Sequence, residues 1–169
     1  FLALPVISPY HEYYRRFRKT YHVLLQVESI VLKGKDLPTV SPLVDANFAA
    51  EVETFILTAA HDVDQLHGKV VMDISADGDI MTRMDGSRKE LHPGDMVMRD
   101  EHGICCSIIY GQDNRSLITR ETTRALYVAY APPGILPGAV ESYLHTRLQY
   151  IELFSSTPRL EQPGLLYGS

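Results

Sequence analysis

The feature that most constrains the fold is a change of hydrophobic period near residue 69. Before that point apolar residues recur at spacings of three and four, which is typical of amphipathic helices. From there to residue 110 they form short blocks separated by turn sequences such as ADGD, MDGSRK and HPGD. Glycine after Asp or Pro supplies the positive φ that tight turns require. This block therefore predicts an antiparallel meander of short strands.

Helices are predicted on both sides of the strand block. Residues 10–19, 21–33 and 43–57 have the apolar spacing of three successive helices, and Gly34 is a stop signal for the second. A fourth helix is predicted at residues 138–155, where an apolar stripe recurs at helical spacing. Helices, then hairpins, then another helix indicate the α+β class. Because strands and helices do not alternate, a parallel doubly wound sheet is disfavoured.

The region between the strand block and the last helix contains one more predicted strand. It covers residues 124–132, and the preceding TRETTR predicts a short helical turn that Thr119 caps. The length of 169 residues fits one domain. We expect that domain to occupy residues 1–155, with 156–169, which holds two prolines, as a loose C-terminal tail.

Composition and cysteine placement predict a cytoplasmic protein. The chain is 45% hydrophobic and 22% charged, and it has no apolar run long enough to cross a bilayer. Cys105 and Cys106 are adjacent, so on a strand they point to opposite faces and are poorly placed to form a disulfide. The opening FLALPVISPY lacks the basic leader of a signal peptide. These features predict a reducing compartment and no membrane partner.

The net charge of −5 is unevenly distributed. Residues 1–35 hold six Lys or Arg residues against two Glu, whereas the rest of the chain is acidic. Four of these cations are clustered near the end of the first predicted helix and are candidates for RNA binding: Arg15, Arg16, Arg18 and Lys19. The alternative is a solvated helix surface without a partner.

His61, Asp62 and Asp64 form the richest polar cluster in the sequence. A metal site would require imidazole and carboxylate atoms to converge at about 2.0–2.2 Å from one ion. The alternative is that the two aspartates accept backbone N–H bonds and brace a turn, and no metal site is assigned. The chain has no P-loop, G-x-G-x-x-G, G-x-S-x-G or H-E-x-x-H motif, so no cofactor is expected.

Other side chains admit two interpretations each. Cys105 would be a nucleophile if a base lowered its pKa, or a small core residue in the apolar run ICCSII. Tyr10, Tyr13 and Tyr14 would stack on nucleic-acid bases beside the arginines, or form a contact between helices. Core packing is the commoner use of such residues.

The order of motifs along the chain resembles the B3/B4 domain of the phenylalanyl-tRNA synthetase beta subunit, in a free-standing single-domain form. The family shows a V-D helix, a turn ending in D-x-D, an L-D-G hairpin, a strand ending in D, a glycine-containing loop and a V-T-x-x-T-T segment. These motifs are represented here by Val44-Asp45, Asp62-Val63-Asp64, Met84-Asp85-Gly86, Arg99-Asp100, Gly111, and Ile118-Thr119 with Thr122-Thr123. The likeness covers about residues 10–131, and the helix at 138–155 is interpreted as an addition.

The resemblance implies a three-layer fold holding a β-sandwich of unusual topology flanked by helices. In the synthetase this domain hosts the editing site, which hydrolyses tyrosine wrongly attached to phenylalanine tRNA. Such a site needs a pocket for the wrong side chain, a positioned water and polar groups that orient the carbonyl. This chain departs from the family pattern with Ala59 in place of a histidine and Val128 in place of a glutamate. The paired glycines of the loop are represented by Gly111 alone.

Three functions follow from these features. The first is a trans-editing hydrolase of mischarged aminoacyl-tRNA, with His61 as general base if its pKa lies near 7. The candidate substrate-binding residues are Asn47, Tyr110, Gly111, Gln112 and Asn114. The second is a non-catalytic module that binds an amino acid, a related small molecule or a tRNA end. The third is an interaction domain whose interface is the last helix, through Leu144 and Leu148.

Overall fold

The computed structural model of the protein describes residues 4–36, 39–161 and 164. Three helices come first: α1 (Ile7–Arg16), α2 (His22–Lys33) and α3 (Pro42–Thr54). The predicted stop is confirmed, since Gly34 ends α2 in the left-handed conformation with a φ of 62°. The start of α3 is set by Ser41, whose side chain accepts a hydrogen bond from Val44 N.

The strands that follow are short. In chain order they are β1 (Thr58–Asp62), β2 (Val71–Ile74), β3 (Ile80–Thr82), β4 (Arg88–Glu90), β5 (Met96–Asp100), β6 (Gly103–Ser107), β7 (Gly111–Gln112) and β8 (Ala125–Ala129). A single 3₁₀ turn (Val63–Gln65) follows β1, and α4 (Pro137–Glu152) comes after the last strand. The described residues thus contain four α-helices and only antiparallel sheets, which confirms the α+β class.

The pairing of the strands is more complex than the predicted meander. β1 pairs with β8, β3 pairs with β4, and a four-stranded sheet has the order β2-β5-β6-β7. The β3–β4 hairpin is inserted between β2 and β5, and Ser75 closes the neck of this insertion. Ser75 N donates to Asp95 O at 2.8 Å, and Ser75 Oγ accepts from Asp95 N at 2.9 Å. Because these bonds join residues distant in sequence, the local hydrophobic period does not reveal them.

Two further segments differ from their predictions. The predicted third helix extended to residue 57, but Phe55, with a φ of 58°, ends α3 and the chain turns directly into β1. The TRETTR segment forms a tight turn rather than a helical one. Thr119 braces that turn, since its Oγ1 accepts from Glu121 N at 3.2 Å and its carbonyl from Thr122 N at 3.4 Å. The two-residue strand β7 was not predicted.

Tyrosines from α1 form much of the main core. Tyr10, Tyr13 and Tyr14 are at most 5% exposed, and each hydroxyl is hydrogen bonded inside the protein. The Tyr10 ring stacks on Tyr21, the residue before α2, with ring centres 4.4 Å apart. The tyrosines therefore join α1 to α2, as one interpretation predicted, and the proposal that they stack on bases is wrong.

α4 packs along α3. Val140, Tyr143 and Ile151 from its apolar stripe are buried, and Leu144 is partly buried against the core. The stripe that the third hypothesis assigned to an interface is thus largely used inside the domain. In the part of the chain that the structure describes, no helix has the length and apolar character to cross a bilayer.

Candidate functional site

A cleft with a volume of about 180 Å³ lies between the start of α2, the start of β1 and the β6–β7 turn. Its apolar wall consists of Leu57, Ala59, Met84, Cys106, Ile108 and Tyr130. Four polar side chains also line it: His22, Thr58, Ser107 and Gln112. Clefts that hold drug-sized ligands are larger, about 300–1,000 Å³. This cleft therefore suits a group the size of one amino acid.

Gly111 and Gln112, both predicted to bind substrate, lie in the cleft wall. Gly111 has a φ of 82°, and a Cβ there would meet open space, so glycine is needed for its backbone conformation. Gln112 Nε2 donates to the carbonyls of Ala60 at 2.7 Å and Ser116 at 3.1 Å. Because a carbonyl can only accept, these bonds fix the amide orientation and leave Oε1 as the acceptor for a ligand.

His22 also lines the cleft, although the sequence analysis did not select it. Its Nδ1 is 2.9 Å from Tyr14 Oη, and that hydroxyl donates its hydrogen to Ile108 O at 2.7 Å. The Tyr14 oxygen must then accept from Nδ1–H, so Nε2 carries the lone pair. Burial lowers the pKa of His22 to about 4, which keeps the ring neutral at physiological pH.

Thr58 connects the cleft to a buried carboxylate. Its N–H and O–H donate to Glu51 Oε2 at 2.8 and 2.7 Å. Its oxygen accepts from Asn47 Nδ2 at 2.8 Å, and Asn47 Oδ1 accepts from the Tyr143 hydroxyl. Asn47, a predicted substrate-binding residue, is therefore buried behind Thr58 and does not line the cleft. Burial raises the pKa of Glu51 to about 7, although the Thr58 hydrogen bonds oppose the shift.

Ser107 makes a similar connection to Asp95, which is fully buried. Ser107 Oγ donates to Asp95 Oδ2 and accepts from Tyr110 N at 3.0 Å. Asp95 also accepts from Tyr13 Oη at 2.7 Å and from Ile109 N at 3.3 Å. Burial raises the pKa of Asp95, and the Ser107 and Tyr13 bonds lower it in part. Two carboxylates thus lie behind the cleft, each bonded to a hydroxyl in its wall.

His61, the predicted general base, does not line the cleft. It is fully buried on β1, with Nδ1 2.6 Å from Ser116 Oγ and 3.3 Å from Gln112 Nε2. Its Nε2 is buried without a hydrogen-bond partner among the described residues. Burial, reinforced by the Arg115 charge, lowers the pKa of His61 to about 4. The low pKa and the lack of cleft surface both weigh against a general base at this position.

Asp62 braces the turn that follows β1, as the alternative to a metal site predicted, whereas the Asp64 side chain is exposed and does not accept a backbone N–H in the described residues. Asp62 accepts from Asp64 N at 2.9 Å and from Thr122 Oγ1 at 2.6 Å. Asp64 forms an ion pair with Arg124 at 3.1 Å. In residues 4–36, 39–161 and 164, no three His, Cys, Asp or Glu side chains are grouped so as to hold a metal ion.

The adjacent cysteines are core residues. Both are buried and not disulfide-bonded. Burial raises the pKa of Cys105 to about 11 and that of Cys106 to about 12, so both are thiols at neutral pH. The interpretation of Cys105 as a small apolar core residue is confirmed, and its use as a nucleophile is disfavoured.

The last two predicted substrate-binding residues lie outside the cleft wall. The Tyr110 ring packs against a smaller apolar cluster, with Lys89 Nζ 4.8 Å from the ring centre. Asn114 is exposed, and its N–H donates to Thr82 O at 3.1 Å. Of the five predicted residues, the structure therefore brings Gly111 and Gln112 into the cleft.

The candidate RNA-binding residues are exposed around the end of α1. The Arg16 guanidinium carbon lies 5.2 Å from the Tyr13 ring centre, so this side chain has an intramolecular contact. Lys19 and His22 are three positions apart in the chain, so their Cα atoms are at most about 11 Å apart. The basic segment and the cleft are therefore close enough for one extended ligand to contact both.

The two departures from the synthetase pattern are neighbours in the structure. Ala59 and Val128 are direct partners in the β1–β8 register, and such partners point to the same face of a sheet. Ala59 lines the cleft and Val128 packs against the core. The wall is therefore apolar at Ala59, and Val128 is a core residue rather than part of the wall.

The fold belongs to a known class of domain. A model of the B3/4 domain family matches residues 11–150, so this chain belongs to that family. The match includes most of α4, which the motif comparison had placed outside the likeness.

Two similar proteins are phenylalanine–tRNA ligase beta subunits. The subunit of Mycoplasma pneumoniae is 26% identical over 97 residues, covering 57% of this chain and 12% of that subunit. The subunit of Tropheryma whipplei is 32% identical over 93 residues, covering 54% of this chain and 10% of that subunit. The matched region is thus about a tenth of each subunit. These matches confirm the family resemblance inferred from the motifs.

Proposed function

We propose that the cleft binds the aminoacyl end of a charged tRNA and that the domain hydrolyses a wrongly attached amino acid. The observation that carries this proposal is the convergence of Ala59, Gly111 and Gln112 in one cleft of amino-acid size. The family resemblance relates Ala59 and Gly111 to the editing site of the synthetase, and Gln112 is one of the candidate substrate-binding residues. The similar proteins are subunits of a ligase for phenylalanine and tRNA, which supports a tRNA-linked substrate.

His22 is the residue best placed to assist hydrolysis. Water must attack the ester carbonyl carbon, the bond to the ribose oxygen must break, and a proton from water must pass to that oxygen through a base. The lone pair on His22 Nε2 can accept a hydrogen bond from the attacking water and so orient it, while its low pKa makes it a weaker base than an ordinary imidazole. Because the pKa of His22 is about 4, we expect the rate to be level above about pH 5 and to fall below that.

The exposed cations of the basic segment would hold the tRNA backbone. Replacing Arg15 and Lys19 together by Gln should weaken tRNA binding and reduce the dependence of affinity on salt concentration. The matched control replaces Lys33 and Lys35, exposed cations at the other end of α2, by Gln. An equal effect of the two sets of substitutions would show that general charge, rather than this segment, attracts the tRNA.

The direct test is a deacylation assay on correctly charged and mischarged aminoacyl-tRNAs. The variant His22→Phe keeps a ring of similar shape, and Tyr14 retains its bond to Ile108 O. We expect wild-type protein to release amino acid from a mischarged tRNA, His22→Phe to lose most of that rate, and the exposed-site control His145→Phe to keep it. No release above the protein-free rate, for any tRNA, would refute the hydrolytic part of the proposal.

The alternative function is a binding module without chemistry. It is favoured by the apolar Ala59–Val128 pair and by the burial of His61, which remove polar groups from the region of the cleft. This alternative predicts that an aminoacyl ligand raises the melting temperature without turnover. A melting temperature that no such ligand changes would count against it.

A further inference from the structure

The polar side chains of the cleft direct their hydrogens into the protein rather than toward a ligand. His22 gives its Nδ1–H to Tyr14 Oη, at 2.9 Å. Gln112 gives its amide hydrogens to two backbone carbonyls, at 2.7 and 3.1 Å. What these two residues offer to a ligand is a lone pair, on His22 Nε2 and on Gln112 Oε1.

The two hydroxyl groups of the wall follow the same pattern. Thr58 donates its hydrogen to Glu51 Oε2 at 2.7 Å. Ser107 donates its hydrogen to Asp95 Oδ2. Since a hydroxyl has one hydrogen, neither can donate to a ligand while these bonds persist, and only oxygen lone pairs remain.

The remaining side-chain hydrogens of the wall are out of reach. The Cys106 thiol is directed at Ser107 O, with the sulfur 3.7 Å from that oxygen. The Tyr130 hydroxyl is buried, with no accessible surface at its oxygen. The side chains that line the described cleft thus present acceptors and no donors.

The carboxylates behind the wall also favour a positively charged ligand. Glu51 and Asp95 are buried carboxylates one hydrogen bond behind the cleft, and burial raises the pKa of both. A positive charge in the cleft would stabilise their ionised forms, and by reciprocity their ionised forms would stabilise that charge. No Lys or Arg side chain lines the described cleft to supply such a charge.

We propose that the cleft recognises the free α-ammonium group of an amino acid, or of an amino acid esterified to tRNA, and rejects N-acylated forms. An ammonium group has three N–H donors, one positive charge and no acceptor, which complements cleft side chains that can only accept. N-acylation removes the charge and adds a carbonyl that would face lone pairs. This inference names the ligand class of the cleft and rests on the binding part of the proposed function.

The test compares two ligands that differ only at the nitrogen: L-phenylalaninamide and N-acetyl-L-phenylalaninamide. Binding to the intact chain is followed by amide NMR shifts of the cleft residues Ala59, Ser107 and Gly111. We expect the free amine to shift these signals and the acetylated compound to bind roughly tenfold more weakly or worse. Equal affinities, shifts confined to other surfaces, or no binding of the free amine at millimolar concentration would each overturn the inference.

A pair of charge variants gives an independent check at the mouth of the cleft. Met84 lines the cleft, yet it is 60% exposed, so its substitution should leave the fold intact. Met84→Lys should weaken binding of the free amine roughly threefold to tenfold, and Met84→Glu should strengthen it by a similar factor. The control is Leu136→Lys, the same charge change at a 70% exposed site that does not line the cleft. Equal affinity in Met84→Lys and Met84→Glu would contradict the inference.

Deacylation of a tRNA mischarged with phenylalanine, and of the same mischarged tRNA after N-acetylation of the amino acid, separates this inference from the proposed hydrolysis. If the protein hydrolyses both esters at the same rate, the hydrolytic function stands and ammonium recognition is wrong. If it hydrolyses neither but prefers the free amide in the binding test, ammonium recognition stands and the catalytic proposal fails.

Discussion

Glu51 provides a quantitative test of the buried network behind the cleft. Its side chain accepts two hydrogen bonds from Thr58, and it is only 6% exposed. Burial raises its pKa from 4.5 to about 7. Between these values the folded state binds a proton that the unfolded state has released, so protein stability falls as pH rises. The stabilisation from the protonated form is complete below about pH 4.5 and is lost above about pH 7.

The size of this effect follows from the two pKa values. One pKa unit is worth about 1.4 kcal/mol, so a change from 4.5 to about 7 corresponds to about 3 kcal/mol. Glu51→Gln resembles the protonated acid in shape and polarity and cannot ionise. Relative to wild type, this variant should therefore become more stable by about 3 kcal/mol as the pH rises from 4.5 to 8.

The assay is urea unfolding of wild type and Glu51→Gln at several values between pH 4.5 and pH 8. The difference between the two free energies of unfolding isolates Glu51, since other titrating groups contribute equally to both proteins. Glu53→Gln, an exposed carboxylate on the same helix, controls for the loss of one negative charge. A Glu51→Gln difference that stays constant across this pH range would falsify the assignment of a raised pKa to Glu51.

Two further substitutions test the contacts that hold the site in place. Arg115→Met removes the guanidinium that bonds the fully buried Asp100 carboxylate at 2.8 and 2.9 Å, and it should cost about 3 kcal/mol of stability. Arg124→Met breaks the exposed ion pair with Asp64 and should cost under about 1 kcal/mol. Equal losses in urea unfolding would contradict this ranking. Tyr10→Phe leaves a buried backbone N–H and C=O without their partners and should cost about 1–3 kcal/mol. Tyr150→Phe loses only an exposed hydrogen bond to Glu53 and should cost under about 1 kcal/mol. Thermal unfolding of both variants measures the two losses of stability. Equal melting temperatures for Tyr10→Phe and Tyr150→Phe would refute the larger loss expected for Tyr10→Phe.

The loop at Gly111 and Gln112 was the part of the site that sequence could indicate, because the turn chemistry of a glycine and the order of family motifs are both local signals. Thr58 and Ser107 carried no such signal. They come from β1 and β6 and reach the cleft through separate sheets. His22 was equally unmarked, because a histidine at a helix start has no distinctive pattern until Tyr14 and Ile108 are placed around it.

His61 shows the opposite error. Its position in a polar segment, AAHDVDQLHG, made it the candidate general base, but in the fold the side chain is fully buried beside Ser116 and Gln112. The pairing of β1 with β8 brings Ala59 opposite Val128, so two departures from the family pattern that are 69 positions apart in sequence are neighbours in the fold.

The sequence by itself determined the α+β class, the four helices, the left-handed end of α2 at Gly34 and the turn-rich antiparallel block, because hydrophobic period and turn chemistry are properties of neighbouring residues. Only the tertiary structure decided which strands pair, which polar residues are buried and which hydrogens face the cleft. Those features depend on contacts between segments far apart in the chain, and on the desolvation that follows when such segments meet.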